Sequence, residues 1–154
     1  LLRFGGHRAA AGLTVSRAQI PELARRFNEI ALSQLTVDDL VGELRVDLEI
    51  PISDATPELE ALLRHFEPFG PSNPTPVLVS RGVRLAAPAR VMGDGHLKLR
   101  LETHGADLEA IGWGMGALAA ELGVGSTIDV AYRLERDEWN GVPRLQAKLA
   151  AVHQ

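Results

Sequence analysis

The chain has 154 residues, of which 45% are hydrophobic and 23% charged, so it can bury the core of one ordinary domain or of two small ones. Its 16 basic and 20 acidic residues give a net charge of −4, which argues against a protein coated in basic surface for nucleic acid. The absence of cysteine excludes disulfides and thiolate metal sites and fits a cytoplasmic location, and no apolar run reaches the roughly 20 residues of a membrane helix.

Small residues dominate the start of the chain, where residues 3–13 read RFGGHRAAAGL. This start has neither a signal peptide nor an initiator methionine, so we expect a piece of a longer chain. A strand is predicted over 13–15. Apolar residues at three- and four-residue spacing then predict an amphipathic helix over 18–34, with Arg25 and Arg26 on its solvated face.

The periodicity of the sequence changes after this helix. Apolar and charged residues alternate over 43–50, which predicts a half-buried strand that ends at Pro51. A short helix is predicted from Thr56 to Phe66. Residues 67–76, EPFGPSNPTP, hold four prolines and a glycine, a composition that forbids regular structure and predicts a rigid connector.

The second half of the chain carries the pattern of a small β-domain. Strands are predicted over 77–92, 96–103, 107–113, 126–136 and 143–152. Between the third and fourth strands, MGALAAELG predicts a helix of about two turns that is closed by Gly123. Five strands with a helix in that place are the layout of an OB-fold barrel. Asn140-Gly141 is a strong signal for a hairpin before the last strand.

Basic residues concentrate in the first half of this β-domain. The window 81–100 contains Asp94 as its single acid and five basic residues: Arg81, Arg84, Arg90, Lys98 and Arg100. Lys98 and Arg100 alternate along the second strand and therefore share one face. Two interpretations stay open for this window, a solvated sheet face and a track for phosphates.

The two tryptophans receive different interpretations. Trp113 lies in an apolar strand, and we assign it to the core. The glycines around it, in GWGMG over 112–116, have the wrong spacing for a dinucleotide-binding turn and predict a packing turn. Trp139 lies at the predicted hairpin tip, where it either stacks on a base or covers the end of the barrel.

Three stretches, in this order, resemble one known family. GGHRAAAGL resembles the GGHxxAAG signature of the DHH-associated domain in RecJ-type phosphoesterases, and FEPFGPSNPTPVL resembles the connector that follows it. GDGHLKLRLE, EAIGWGMG and AYRLERDEWNGVPRLQAKL resemble the OB-fold of the RecJ family.

The resemblance implies an α+β fold in three parts. Residues 1–40 correspond to the end of the DHH-associated domain, a strand plus an amphipathic helix. Residues 41–76 hold a strand, a short helix and the Pro/Gly-rich connector. Residues 77–154 form a five-stranded OB-fold barrel with a short helix between strands 3 and 4, and the strand over 43–50 is a candidate member of the barrel sheet.

The same resemblance implies a parent enzyme, a 5′→3′ exonuclease that degrades single-stranded DNA in DNA repair and recombination. In that family, water is activated between two Mn²⁺ or Mg²⁺ ions held by an N-terminal DHH domain. This sequence contains no DHH triplet, and its histidines are scattered at positions 7, 65, 96, 104 and 153. We therefore expect no catalytic residue, no metal site and no hydrolysis in this chain alone.

The glycines near the start of the chain serve either phosphate binding or packing. Glycine lets a phosphate approach backbone N–H groups, and a neighbouring histidine or arginine adds a donor. The residues by themselves make a weak motif, whose plain alternative is a tight turn. The resemblance favours phosphate binding and implies that four residues hold DNA near the scissile phosphate: Gly5, Gly6, His7 and Arg8.

The OB-fold gives a candidate DNA-binding face on its strands 2 and 3. The candidate residues are Arg84, Arg90, His96, Lys98, Arg100 and Trp139. The implied partners are single-stranded DNA and, in the family, single-stranded-DNA-binding protein; no membrane partner is expected. Two alternatives stay open. One is a barrel that mainly binds protein, which the acidic hairpin around Asp137 and Glu138 favours. The other is a related DHH phosphodiesterase acting on short oligonucleotides or cyclic dinucleotides.

Overall fold

The structure, a computed structural model, describes residues 2–8, 10–103, 105–138 and 141–154. The chain divides into two compact units, of which the first ends at Glu43 and the second begins at Leu44. The predicted connector over 67–76 therefore lies inside the second unit.

A hairpin and a helix make up the first unit. β1 (Arg3–His7) and β2 (Ala10–Thr14) pair antiparallel, so the glycine-histidine motif is a strand rather than a loop or turn. Periodicity predicts one strand here instead of two, because runs of glycine and alanine carry no alternation of apolar and polar residues. A short 3₁₀ turn at Arg17–Gln19 leads into α1 (Ile20–Gln34), whose first turn contains Pro21.

α1 is amphipathic, as predicted, and its charged face is solvated. Arg25 pairs with Glu22 at 2.8 Å and also contacts Glu29, and Arg26 bonds to Glu22 as well. Hydrogen bonds from Arg25 and then Arg26 lower the pKa of Glu22 to about 2. The opposite face is apolar and open, with Phe27 71% exposed. None of the residues described in this unit is buried.

The second unit is built around a curved β-sheet. In chain order its elements are β3 (Leu48–Glu49), α2 (Pro57–Leu63), β4 (Leu78–Leu85), β5 (Arg90–Met92), β6 (His96–Thr103), β7 (Ala106–Gly112), β8 (Thr127–Asp137) and β9 (Arg144–His153). The sheet order is β3-β4-β8-β9-β7-β6-β5, and β4 also pairs with β6, which closes a barrel. The predicted α+β fold with an OB-type barrel is confirmed.

The first barrel strand differs from its prediction. Periodicity predicts one strand over 77–92, whereas the structure divides it into β4 and β5 around residues 86–89. Pro88 lies in this break and has no N–H to donate to a neighbouring strand. β4 pairs with β8 and, at its end, with β6, while β5 pairs with β6 further along. The break therefore lets this one stretch of sequence pair with β8 through β4 and with β6 through both β4 and β5.

The half-buried strand predicted over 43–50 is wrong in its length and its burial. In this segment the strand is confined to Leu48–Glu49, β3, which pairs parallel with β4, and Val46 is 41% exposed. Asp47 donates its N–H to the Val77 carbonyl at 2.8 Å, and its carboxylate accepts the Val77 N–H at 2.9 Å. A side-chain acceptor thus replaces a ladder carbonyl, and regular pairing begins one residue later.

The helix after β7 is shorter than its prediction. The structure has a 3₁₀ helix over Gly116–Ala120 in place of a two-turn α-helix. Gly116 and Gly123 bound the segment, and the few residues between them do not offset the cost of nucleating an α-helix.

A buried carboxylate fixes α2 against the barrel. Glu60 is 5% exposed and pairs with Arg64 at 3.0 Å and with Arg136 of β8 at 3.3 Å. The bond from Arg136 to Glu60 therefore joins β8 to α2. Removal of Arg136 would leave the buried Glu60 carboxylate without one of its two partners, which is destabilising. The connector that follows, 67–76, contains no helix and no extended strand, as its prolines predict.

Side chains from β4, β6, β7, β8 and β9 form the core, in which Tyr132 is 0% exposed. The Tyr132 hydroxyl lies 2.9 Å from Ser80 Oγ, and Ser80 Oγ donates to the Ile50 carbonyl at 2.7 Å. Because the single hydroxyl hydrogen of Ser80 goes to Ile50, Tyr132 is the donor to Ser80. Burial raises the pKa of Tyr132.

Tyr132 should make the second unit sensitive to alkaline pH. A tyrosine in the unfolded chain has a pKa of ~10, and the folded pKa lies above it. The stability from the neutral phenol is therefore complete below about pH 10 and is lost as the pH rises through the folded pKa. In that window the free energy of unfolding should fall with rising pH, by at most about 1.4 kcal/mol per pH unit, and Tyr132→Phe should remove this part of the slope. The sequence has one tyrosine, so phenolate absorbance measures it directly; ionisation at the ordinary pKa would contradict the prediction.

Candidate nucleic-acid interface

β6 turns its polar side chains to the outer face of the barrel. Its leucines point into the core and are at most 1% exposed: Leu97, Leu99 and Leu101. The alternate residues therefore face outward: His96, Lys98 and Arg100. β5 and β7 flank β6, so this surface corresponds to strands 2 and 3 of an OB-fold.

Carboxylates neutralise part of this face. Lys98 Nζ lies 2.6 Å from Glu109 Oε2, and Arg100 pairs with Asp107. Arg84 Nη2 lies 4.0 Å from Glu102 Oε2. Exposed pairs of this kind contribute little to stability, about 0–1 kcal/mol. Because such weak pairs give way to a phosphate at little cost, both interpretations of this window stay open for Arg84, Lys98 and Arg100.

A row of cations crosses the outer face of five neighbouring strands. The pairing registers place Arg90 of β5 beside Lys98 of β6, and Lys98 beside Ile111 of β7. They then place Ile111 beside Lys148 of β9, and Lys148 beside Arg133 of β8. Directly paired residues project from the same face of a sheet, with Cβ atoms about 5 Å apart. We refer to Arg90, Lys98, Lys148 and Arg133 as the cation row.

The two ends of the cation row have no acidic partner. Arg90 and Arg133 form no ion pair with any residue that the structure describes, whereas Lys148 pairs with Glu135 at 3.2 Å. A shallow depression of about 200 Å³ lies beside Arg90 and Lys98. Sequence reasoning predicts Arg90 and Lys98 but misses the other two cations, because their position beside Lys98 depends on how the barrel closes.

Trp113 lies on the surface, and its assignment to the core is wrong. Its side chain is 60% exposed. Gly112, which precedes it, is buried at the end of β7, so the next side chain points outward. The His96 ring packs on the indole with a centroid distance of 4.4 Å and an interplanar angle of 62°. The predicted packing turn is present, since the Gly116 N–H donates to the Gly95 carbonyl at 2.8 Å.

The hairpin brings the predicted phosphate ligands near the start of the chain into one strand and its turn. Gly5, Gly6 and His7 lie in β1, and Arg8 lies in the turn toward β2. A Cβ on Gly6 would come within 2.5 Å of the Ala10 carbonyl oxygen. The close packing of the hairpin therefore requires glycine at position 6. The contact of residues 5–8 with a phosphate stays a prediction.

The remaining predictions concern the hairpin tip, a metal centre and a membrane helix. Trp139 and Asn140, predicted at the hairpin tip, lie outside the described residues. Among the residues described, no group of three or more His, Asp or Glu side chains meets as a metal site, so they do not fit the Mn²⁺ or Mg²⁺ centre of the family. Within the same ranges, no helix is long and apolar enough to cross a membrane.

Known proteins resemble this chain in both sequence and structure. A family model described as the RecJ OB domain matches residues 46–151. The single-stranded-DNA-specific exonuclease RecJ of Bacillus subtilis is 34% identical over 157 residues, covering 100% of this chain and 20% of the relative. The RecJ of Escherichia coli is 33% identical over 149 residues, covering 95% of this chain and 25% of the relative.

Among solved structures, the crystal structure of RecJ in complex with Mn²⁺ from Thermus thermophilus matches with a TM-score of 0.72 and 27% identity. That match covers 100% of this chain and 22% of the other. The chain thus spans about a fifth to a quarter of the length of these relatives. On the family model and these relatives together, the chain belongs to the RecJ family, and residues 46–151 match the OB domain of that family.

Proposed function

We propose that this chain is the nucleic-acid-binding portion of a cytoplasmic 5′→3′ single-stranded-DNA exonuclease that acts in DNA repair and recombination. The barrel holds the strand, and residues 5–8 contact a phosphate near the cleavage site. A DHH domain of the parent protein binds Mn²⁺ or Mg²⁺ and hydrolyses the phosphodiester bond. The name of the relatives, single-stranded-DNA-specific exonuclease, supports the substrate. Within this chain, the cation row carries the proposal.

The cation row offers a path for a phosphate backbone across the barrel. Arg90 and Lys98 project from adjacent strands, as do Lys148 and Arg133, and adjacent strands are about 4.8 Å apart. Between the two pairs lies β7, whose Ile111 is 4% exposed, so Lys98 and Lys148 are two strand spacings apart. The guanidinium groups of Arg90 and Arg133 have no competing carboxylate among the described residues and can each bind a phosphate through two hydrogen bonds. Lys98 and Lys148 exchange an exposed carboxylate for a phosphate at little cost, because such surface pairs are weak.

Binding of the chain to a single-stranded oligonucleotide tests this proposal. We expect fluorescence anisotropy to show binding whose log affinity falls linearly with log salt, with a slope of about −2.8 for four phosphate contacts. The same sequence annealed as a duplex is the matched control and should bind more weakly. No binding at the lowest salt, or a slope near zero, would contradict the proposal.

A groove that borders the Lys148–Glu135 pair favours protein binding as a second candidate function. It has a volume of about 400 Å³ between α2, the connector and β8, and Leu63 and Phe69 supply apolar surface. Its acidic residues are Glu60, Glu67, Glu135 and Glu138, and Arg64 and Arg136, which pair with Glu60, line it as well. If the chain captures purified single-stranded-DNA-binding protein and does not bind DNA, this second function replaces the first. The RecJ OB domain match argues against a DHH phosphodiesterase for short oligonucleotides or cyclic dinucleotides.

A further inference from the structure

Two loops at one end of β6 and β7 are fastened to each other. The loop between β5 and β6 and the turn after β7 are joined by the Gly116 N–H, which donates to the Gly95 carbonyl at 2.8 Å. The Gly114 N–H donates to His96 Nδ1 at 3.1 Å. A Cβ on Gly116 would lie 2.6 Å from the Gly95 oxygen, so the close approach needs glycine there. These contacts fix the backbone directly after Trp113 against the neighbouring loop.

The same turn explains why a large apolar side chain stays on the surface. Gly112 faces inward against Met115, and a Cβ at position 112 would come within 2.7 Å of the Met115 sulfur. Gly114 has a φ of +70°, which lets the chain reverse directly after Trp113. The indole therefore projects outward at the end of β7 and remains 60% exposed.

His96 fixes the indole from one side. Because Nδ1 accepts the Gly114 N–H, the proton of the neutral ring is on Nε2. The edge-to-face contact at 4.4 Å leaves other parts of the indole surface open. An aromatic side chain that is already immobilised loses little conformational entropy when a ligand stacks on it. The arrangement suits a flat, partly apolar ligand.

The position of this aromatic pair relative to the cation row identifies the ligand. His96 precedes Lys98 by two residues on β6, and Trp113 follows Ile111 by two residues after β7. Two residues of a strand span about 6.8 Å, so the pair lies one step beside the row on the same outward face. We propose that Trp113, held by His96, is a stacking site for one unpaired base of a strand whose phosphates follow the cation row. This inference rests on the proposed function.

Base stacking and phosphate contact can be separated with an abasic probe. The chain and each of its variants carry Trp139→Phe, so that Trp113 is the one tryptophan wherever residue 113 is unchanged. Addition of a single-stranded oligothymidylate should quench its fluorescence. Trp113→Ala should weaken binding of the oligonucleotide about 5- to 100-fold, as for other stacked bases, and Trp113→Phe should restore most of the affinity. With an abasic strand of the same length and charge, Trp113→Ala should change the affinity less than twofold.

A second exposed aromatic residue supplies the matched control. Phe66 is 64% exposed and lies outside β5–β7, so Phe66→Ala should leave DNA affinity unchanged. Trp113→Phe covers the case in which the alanine variant does not fold. If the chain with Trp113 intact binds DNA and the Trp113→Ala variant binds it equally well, the stacking site is refuted and the proposed function stands. The same conclusion follows if Trp113→Ala weakens binding of the abasic strand as much as binding of the oligothymidylate. If the chain with Trp113 intact binds no DNA, both the stacking site and the proposed function are refuted.

Discussion

Replacing Arg90 and Arg133 together by glutamine should weaken binding of a single-stranded oligonucleotide at least about a hundredfold at low salt, because each loses a charged hydrogen bond to phosphate that contributes about 1.5–3 kcal/mol. The salt dependence should become shallower by about 1.4 units of slope, which is the loss of two phosphate contacts to a single strand. These two arginines are the ends of the cation row and have no acidic partner among the described residues. Anisotropy titrations at several salt concentrations measure both quantities.

The matched control changes the net charge equally at another place. Arg25 and Arg26 lie on the solvated face of α1 and are paired with Glu22 and Glu29. Replacing both by glutamine should leave the slope as it is, because neither lies on the barrel. If both double variants lose the same amount of DNA affinity, DNA binding depends on net charge alone. The cation row would then have no specific role.

Gly116→Ala should lower the free energy of unfolding of the second unit by about 1–3 kcal/mol, the usual cost of overpacking a closed contact. The added methyl would lie 2.6 Å from the backbone oxygen of Gly95, and neither partner is a flexible side chain that can move aside. The two loops must separate, so the variant should also bind DNA less tightly. Chemical denaturation followed by tryptophan fluorescence measures the stability.

Gly70 provides the comparison for this substitution. It lies in the same unit, and an added Cβ there would meet no atom within 4 Å. Gly70→Ala should therefore leave stability unchanged or raise it slightly, since alanine restricts the unfolded chain. If Gly116→Ala and Gly70→Ala unfold at the same denaturant concentration, the contact between the two loops contributes nothing to stability.

The spacing of apolar residues along the sequence predicts α1 and β6. The three- and four-residue spacing locates α1, and the alternation over 96–103 locates β6 to the residue. Periodicity fails where a single residue interrupts a regular pattern. Pro88 breaks the long first strand, and Asp47 replaces a ladder carbonyl with its side chain.

Trp113 shows how an apolar run conceals the direction of a side chain. Residues 110–112 are all buried, which suggests a core position for the next residue as well. The alternation of β7 contains the contrary signal: Leu108, Ala110 and Gly112 point inward, so residue 113 points outward. Counting the strand in steps of two, rather than averaging its hydrophobicity, places the indole on the surface.

The cation row depends on pairing that no local pattern contains. Lys148 stands beside Ile111 because β9 pairs parallel with β7, and Arg133 stands beside Lys148 because β8 comes next. These neighbours are distant in the sequence, and their register follows from the closure of the barrel. The OB-fold predicts which strands are adjacent, but the register of each pair comes from the structure.

Chemical-shift mapping of the isotope-labelled chain, titrated with a single-stranded oligonucleotide, tests most directly whether this outer face binds DNA. The largest changes should fall on the backbone amides of Arg90, Lys98 and Ile111 and on the indole N–H of Trp113. Changes confined to α2 and the connector, with the outer face of β5, β6 and β7 unaffected, would contradict this account of the RecJ OB domain.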